Sequence, residues 1–340
     1  MGESFKECQV KFALIVCTYM RPEPLRILLE SVKTQLQYPD EIIIVDGSLN
    51  DQTQQMLETH SFEKLRYFLV DKQDRGLTRQ RNYGIAKVSD NIEIVCFLDD
   101  DTILDSRYFT EILETYQKFP LALAVGGYIT NEVSWEKTAT DYEPTFNEYG
   151  FDGWKRTEGS RFLLRKKLGL DSDQKPGFLP EFGHGRTIGF LPPSGNVYEV
   201  EQLMGGVSSF RKTVFKDFQF SVFFDGYGLY EDTDFTLRLS KTGKLYLNTA
   251  AKLEHYHDSS GRPNKYAYGK MVVRNGWYVW RVKHPKPSIK SKFKWHTITL
   301  LLIVVRFSNT FTTAKKQEAL TESLGRFASW MGLFFNKPRS

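Results

Sequence analysis

The chain has 340 residues, 41% hydrophobic and 26% charged, with 26 Phe and 17 Tyr. That composition excludes a disordered or fibrous protein and suits one large α/β domain with an appendage. Its three cysteines, with Cys17 and Cys96 inside apolar runs, exclude a disulfide framework and fit a reducing compartment. The net charge of +5 hides an asymmetry: residues 261–340 hold sixteen Lys and Arg against Glu318 and Glu322, while the remainder is net acidic.

The first ten residues, "MGESFKECQV", lack the basic-then-apolar pattern of a secretory signal. Strand and helix then alternate to about residue 130. "KFALIVCT" reads as a strand. "PEPLRILLESVKTQL" reads as a helix, with Leu25, Leu28, Leu29, Val32 and Leu36 at helical spacing and prolines at its entry. "EIIIVDGS" is a second strand and "NDQTQQMLETH" a polar helix opened by a capping-type residue. "LRYFLV", a helix "LTRQRNYGIAKV" and the strand "IVCFL" follow. Strands apolar throughout, separated by helices, predict a parallel sheet covered on both faces. Such sheets bind ligands beyond the carboxyl ends of their strands, where Thr18, Asp46 and Asp99 to Asp101 fall.

From 131 to 204 Gly, Pro and aromatics dominate, which predicts loops, short strands and part of a substrate pocket. Regularity returns with "GGVSSF", the glycine-rich "FFDGYGLYEDTDFTLRLSKTG", whose second half reads as a helix, and the strand "KLYLN".

Three adjacent carboxylates repel one another, so Asp99, Asp100 and Asp101 suit a hard divalent cation such as Mg²⁺ or Mn²⁺. An acidic turn or an N-cap for the helix "SRYFTEILETYQKF" is the alternative. Asp46 stands where a carboxylate commonly meets ribose, or else makes turn chemistry before Gly-Ser. Arg79, Arg81 and Asn82 lie just before the acidic strand, positioned for a nucleotide's anionic or polar groups or as a solvated basic helix face. Glu231, Asp232 and Asp234 open a helix, where they favour its dipole or supply a general base. In "LEHYHD" the period of two puts His255 and His257 on one side of a short strand, and a neutral imidazole there could complete a Mn²⁺ site.

Together these stretches resemble the family 2 inverting nucleotide-sugar glycosyltransferases of GT-A fold. "ALIVCTYMRPEPLRILLESV" is similar to the family's first strand and helix, and "IIIVDGSLNDQT" to its second strand with a donor-binding Asp. "GLTRQRNYGIAKVSDNIEIVCFLDDD" resembles the run into the metal-binding DxD motif, and "GGVSSFRKTVFKDFQFSVFFDGYGLYEDTDFTLRLSKTG" the acceptor-side segment with its Glu-Asp pair. The resemblance covers roughly residues 11–258 and is loose over 131–200. It implies a nucleoside-diphosphate sugar donor bound by Thr18, Tyr19, Arg21, Asp46, Arg79, Asn82, Asp99 and Asp100. It implies Mn²⁺ or Mg²⁺ held by Asp101, Asp99 and His255, with His257 the fallback for His255. Asp232 becomes the catalytic base, with Glu231 the second choice, and Gly206, Arg211 and His257 face the acceptor, a glycan or lipid-linked glycan of cell-surface polysaccharide synthesis. The expected domains are a GT-A domain over 1–260, with a nucleotide-sugar-binding half (1–130) and an acceptor half (131–260), and a basic helical extension over 261–340.

In that extension the apolar run "KWHTITLLLIVVRF" is free of Lys, Arg, Asp and Glu only from Trp295 to Val305, too short to span a bilayer. Basic residues, four of the six tryptophans, and a stripe of Leu320, Leu324, Phe327, Met331 and Phe334 suggest docking on an anionic membrane surface. The alternative is an arm packed on the catalytic domain or on a second subunit, as in a homodimer. Nucleic acid is not expected, because no recognition motif accompanies the charge. The reading is a cytoplasmic enzyme, peripheral at the inner membrane face. A metal-dependent nucleotidyltransferase or phosphohydrolase, or a nucleotide-sugar-binding protein without turnover, are the rival readings.

Overall fold

The computed structural model describes residues 10–139, 141–257 and 263–338, so the amino-terminal reading and the 260/261 boundary lie outside the described residues. In chain order the first half contains β1 (Phe12–Thr18), α1 (Pro22–Lys33), β2 (Glu41–Asp46), α2 (Gln52–Thr59), β3 (Leu65–Leu69), α3 (Leu77–Lys87), β4 (Ile94–Asp99), β5 (Thr102–Leu104), α4 (Tyr108–Lys118) and β6 (Ala122–Ile129). β1, β2 and β4 are apolar along nearly their whole length because both their faces are covered. α1 begins with proline in its first turn, where the missing N–H costs nothing, and buries Leu25, Leu28, Leu29 and Val32. Leu36, expected on that stripe, lies beyond the end of the helix and is exposed. Asp51 occupies the N-cap of α2 but makes no side-chain capping bond.

β3, β2, β1 and β4 form the expected parallel array. The sheet then becomes mixed, through β7 (Glu136–Lys137), β8 (Glu148–Phe151) and β9 (Trp154–Thr157), which make a separate small sheet, α5 (Ser160–Lys167), β10 (Val197–Val200), β11 (Val207–Arg211), α6 (Glu231–Leu239) and β12 (Lys244–His255). β11 inserts antiparallel between β4 and β6, β12 runs parallel to β6, and β10 and β5 both pair antiparallel with β12. One apolar core lies on the α1 and α4 side of the sheet, and the other, rich in Phe, on the α3 and α6 side. This is an α/β fold of GT-A type with C-terminal helices.

Those helices are α7 (Lys265–Lys283), α8 (Ile289–Thr312) and α9 (Lys316–Gly332). Asn264 caps α7 through Ala267 N, and Ser288 caps α8 through Ser291 N. They pack on one another and on α5 and α6 of the α/β domain. Trp277, Trp280 and Trp295 form their core, Trp280 Nε1 donates to Glu181 O at 2.7 Å, and Asn275 Nδ2 donates to Leu229 O at 2.8 Å. The tail is therefore keyed into the domain at its root. Among the described residues, no helix is long and apolar enough to cross a membrane.

Candidate active site

The register of the sheet gathers the acidic strand ends. Cys17 pairs with Asp99 and Thr18 with Asp46, so β1, β2 and β4 finish level. β11 begins beside them, with Asp99 N donating to Gly206 O at 3.0 Å. A cavity of about 740 Å³ opens here, lined by Thr18, Tyr19, Arg21, Asp99 to Asp101, Glu231, Asp232, His255 and His257 among others. Its position beyond the carboxyl edge is the one open α/β sheets reserve for ligands.

Each of the three aspartates has its own environment. Asp100 is turned into the protein, accepting from Thr18 Oγ1 at 2.7 Å and Arg21 Nη1 at 3.0 Å, and burial raises its pKa against the pull of Arg21. Asp99 and Asp101 are brought together with His255 by the pairing of β5 with β12, which sets His255 opposite Thr102. His255 Nε2 lies 3.0 Å from Asp101 Oδ1. One ligand atom from each of Asp99, Asp101 and His255 falls within 4.8 Å of the others. Burial works against a charge on His255, but the hydrogen bond to Asp101 and the nearby Glu132 carboxylate prevail and push its pKa up to about 10. Two hard carboxylates and one imidazole are a donor set suited to a divalent cation, whose charge would replace that proton. The N-cap alternative does not hold, because β5 separates the aspartates from α4.

The opposite wall is the loop before α6. Gly226 and Gly228 have φ of 72° and 75°, a conformation glycine adopts without strain. Tyr230 shares it at φ 72°, a strained residue immediately before the acidic pair. Glu231 is buried and ion-paired with Arg81, which also lies 3.7 Å from Asp99 and stacks on Phe97 and Phe220. Asp232 is only half-buried, its Oδ2 accepting from Gly205 N at 3.0 Å and its Oδ1 from Thr233 N at 2.6 Å.

Several predicted residues stand elsewhere. Asn82 is clamped to the backbone of Phe220, donating to its O at 2.9 Å and accepting from its N at 3.0 Å. Arg79 lies at the surface beside Asp225. Neither lines the cavity. Asp46 is fully buried, accepting from Ser48 N at 2.8 Å and from Tyr67 Oη at 3.0 Å, the turn chemistry held open above. Arg211 is displaced for a topological reason: β11 runs antiparallel to β4, so Arg211 pairs with Ile94 at the far edge and donates to Ala122 O and Pro120 O. Arg211 therefore does not line this cavity. His257 is not on the strand with His255. β12 ends at His255, and His257 takes φ 47°, which brings the two rings to 4.0 Å.

Sequence reasoning missed Glu132, which meets His257 Nε2 at 2.8 Å and His255 Nδ1 at 3.5 Å and offers a second potential ligand group with them. The signal was present: an acid three residues beyond the end of a strand.

Residues 13–172 match the family model described as glycosyl transferase family 2. That stretch includes the three aspartates and ends before Glu231, Asp232 and His255. The O-antigen chain rhamnosyltransferase RfbN of Salmonella typhimurium is 30% identical over 118 residues, 35% of this chain and 37% of the relative. The glycosyltransferase GlyA of Streptococcus pneumoniae serotype 4 is 27% identical over 118 residues, 35% of this chain and 17% of the relative. The glucosyl-dolichyl phosphate glucuronosyltransferase of Haloferax volcanii is 28% identical over 123 residues, 35% of this chain and 38% of the relative. The chain thus matches less than two-fifths of the length of each of these curated relatives. Over residues 13–172, which carry the parallel strands and their acidic edge, the chain is a glycosyl transferase family 2 domain.

Proposed function

We propose that the protein transfers a sugar from a nucleoside-diphosphate sugar to a hydroxyl of a glycan or lipid-linked glycan, with inversion at the anomeric carbon. The observation that carries this reading is that Asp99, Asp101 and His255 face Asp232 across one cavity large enough for a nucleotide sugar. Asp101, Asp99 and His255 would hold Mn²⁺ or Mg²⁺, which supplies charge neutralisation for the departing diphosphate. Thr18 and Arg21 fix Asp100 and so shape the donor floor, while Tyr19 lines the same wall. Asp232 takes the proton from the acceptor hydroxyl as that oxygen bonds to the anomeric carbon. The bond from carbon to the diphosphate oxygen breaks on the opposite face, and the pair of electrons leaves with the diphosphate. Glu231 is engaged by Arg81, which supports Asp232 as the base and gives Glu231 a positioning role.

The O-antigen relative supports a place in cell-surface polysaccharide synthesis, and the basic tail supports a cytoplasmic enzyme resting on the inner membrane face. Release of nucleoside diphosphate that requires a sugar donor, an acceptor and a divalent cation tests the reading. Release without an acceptor would instead indicate a phosphohydrolase, and binding without release a nucleotide-sugar-binding protein. A thermal-shift panel of nucleoside diphosphates and their sugars with Mn²⁺ identifies the donor, since a bound ligand stabilises the fold by mass action.

A further inference from the structure

We propose that α8 and α9 form one continuous docking face for an anionic lipid surface, with α8 lying along it. This deepens the membrane part of the reading above and is tested without any transfer activity. Ile289, Phe293, Leu300, Val304, Phe307 and Phe311 are all exposed, Ile289 at 85% and Phe293 and Phe311 at 73%. At about 100° per residue they fall within a sector of roughly 60°, running the length of a helix about 36 Å long. The opposite side of α8 is buried through Trp295, Ile298, Thr299 and Ile303. The helix therefore has one apolar stripe that packs inward and a second that packs on nothing among the described residues.

α9 and the residues just past it extend the outer stripe. Leu324, Phe327 and Met331 on α9, and Phe334 beyond its end, are exposed. The two helices abut at His296, whose ring stacks on Phe334 at 5.6 Å and whose Nδ1 accepts from Trp330 Nε1 at 3.2 Å. An exposed apolar surface of this extent marks an interaction site. Its cations are Lys286, Lys290, Lys292, Lys315, Lys316 and Lys337, all exposed. The tail's two acids are engaged already, Glu318 with Lys265 and Glu322 with Arg306 and Arg326.

That charge selects the occupant. A second copy would set one cationic rim against another, whereas an anionic leaflet complements it. The geometry also suits a helix in the interface plane, which seats an apolar face at the headgroup boundary while its lysines reach the headgroups.

The experiment is co-sedimentation of the full chain with vesicles of phosphatidylcholine, with and without about one-third phosphatidylglycerol. Wild-type protein should pellet with the anionic vesicles, remain largely free with neutral ones, and be partly released as salt rises to about 0.5 M. Combining Phe293→Ser, Phe307→Ser and Phe311→Ser should lower the bound-to-free ratio about 10-fold or more with the melting temperature unchanged. Lys290→Glu with Lys292→Glu, which leaves the apolar stripe intact, should lower it on anionic vesicles only. Wild-type protein that stays in the supernatant at low salt overturns the proposal, as does a triple Ser variant that binds as wild type does. A stable dimer that the triple variant splits also overturns it and makes this face a subunit interface. A protein that docks but transfers no sugar would refute the proposed activity and leave the docking face standing.

Discussion

Arg81 and Glu231, 150 residues apart in sequence, form a buried ion pair that joins α3 to the head of α6. The same guanidinium reaches Asp99 at 3.7 Å, so one side chain fixes the spacing between the two acidic walls of the cavity.

Glu231→Gln should therefore act mainly on stability. Removing one partner of a buried pair leaves the other charge uncompensated, at a cost on the order of 3 kcal/mol. The melting temperature should drop more than for Asp232→Asn, and a differential scanning measurement of both variants checks the order.

Asp232→Asn is nearly isosteric and keeps one oxygen, enough for Gly205 N but not also for Thr233 N. Donor affinity should survive and the melting temperature fall only modestly, while turnover falls about 10²-fold or more, the scale for losing a general base. An active Asp232→Asn beside a folded but inactive Glu231→Gln would exchange the two roles.

Asp101→Ala removes the carboxylate that His255 holds in place at 3.0 Å. Calorimetry should show Mn²⁺-dependent nucleoside-diphosphate binding greatly weakened and turnover abolished, with the fold intact. Wild-type activity that persists in EDTA would refute the metal dependence.

A test of site geometry is Gly206→Ala. A β-carbon at this position would run into the Asp99 carboxylate, which must then swing away from Asp101 and His255. The variant should lose metal-dependent nucleotide binding while far-UV circular dichroism stays unchanged.

The joint between tail and domain should be sensitive to acid. His184 lies against Trp295, with Nε2 3.1 Å from Thr299 Oγ1, and burial, aided by Arg165, lowers its pKa from 6.5 to about 3. The folded state thus keeps the ring neutral where the unfolded chain protonates. This group costs nothing above pH 6.5, and below it stability falls by up to about 1.4 kcal/mol per pH unit until the ring charges near pH 3. His184→Gln should flatten that slope in urea titrations between pH 6.5 and 5.

The parallel strands were legible because β1, β2 and β4 are buried on both faces, which writes burial directly into an unbroken apolar run. The acidic strand end could be read for the same reason. What escaped depended on pairings between distant segments. Arg211 falls outside the cavity because β11 runs against β4, which nothing local in the sequence says. Asn82 looked available because its partner is backbone 138 residues away. His257 was assigned to a strand because a single left-handed residue leaves no mark on the period of two. Glu132 was hidden in the aromatic stretch that has no periodicity.

The indole trio at the root of the tail has an optical consequence. Trp277, Trp280 and Trp295 lie with ring centroids 4.9 to 5.3 Å apart, Trp330 sits nearby on α9, and Trp135 and Trp154 belong to the region of the small sheet. No tryptophan occurs in residues 10–130. Intrinsic tryptophan emission therefore reports on the helical tail and the region of the small sheet and is blind to β1 through β6. Indoles this close couple excitonically, so near-ultraviolet dichroism should carry a signature that vanishes when the tail detaches. Followed beside the far-ultraviolet signal during heating, it separates loss of the tail from collapse of the main sheet without any added label.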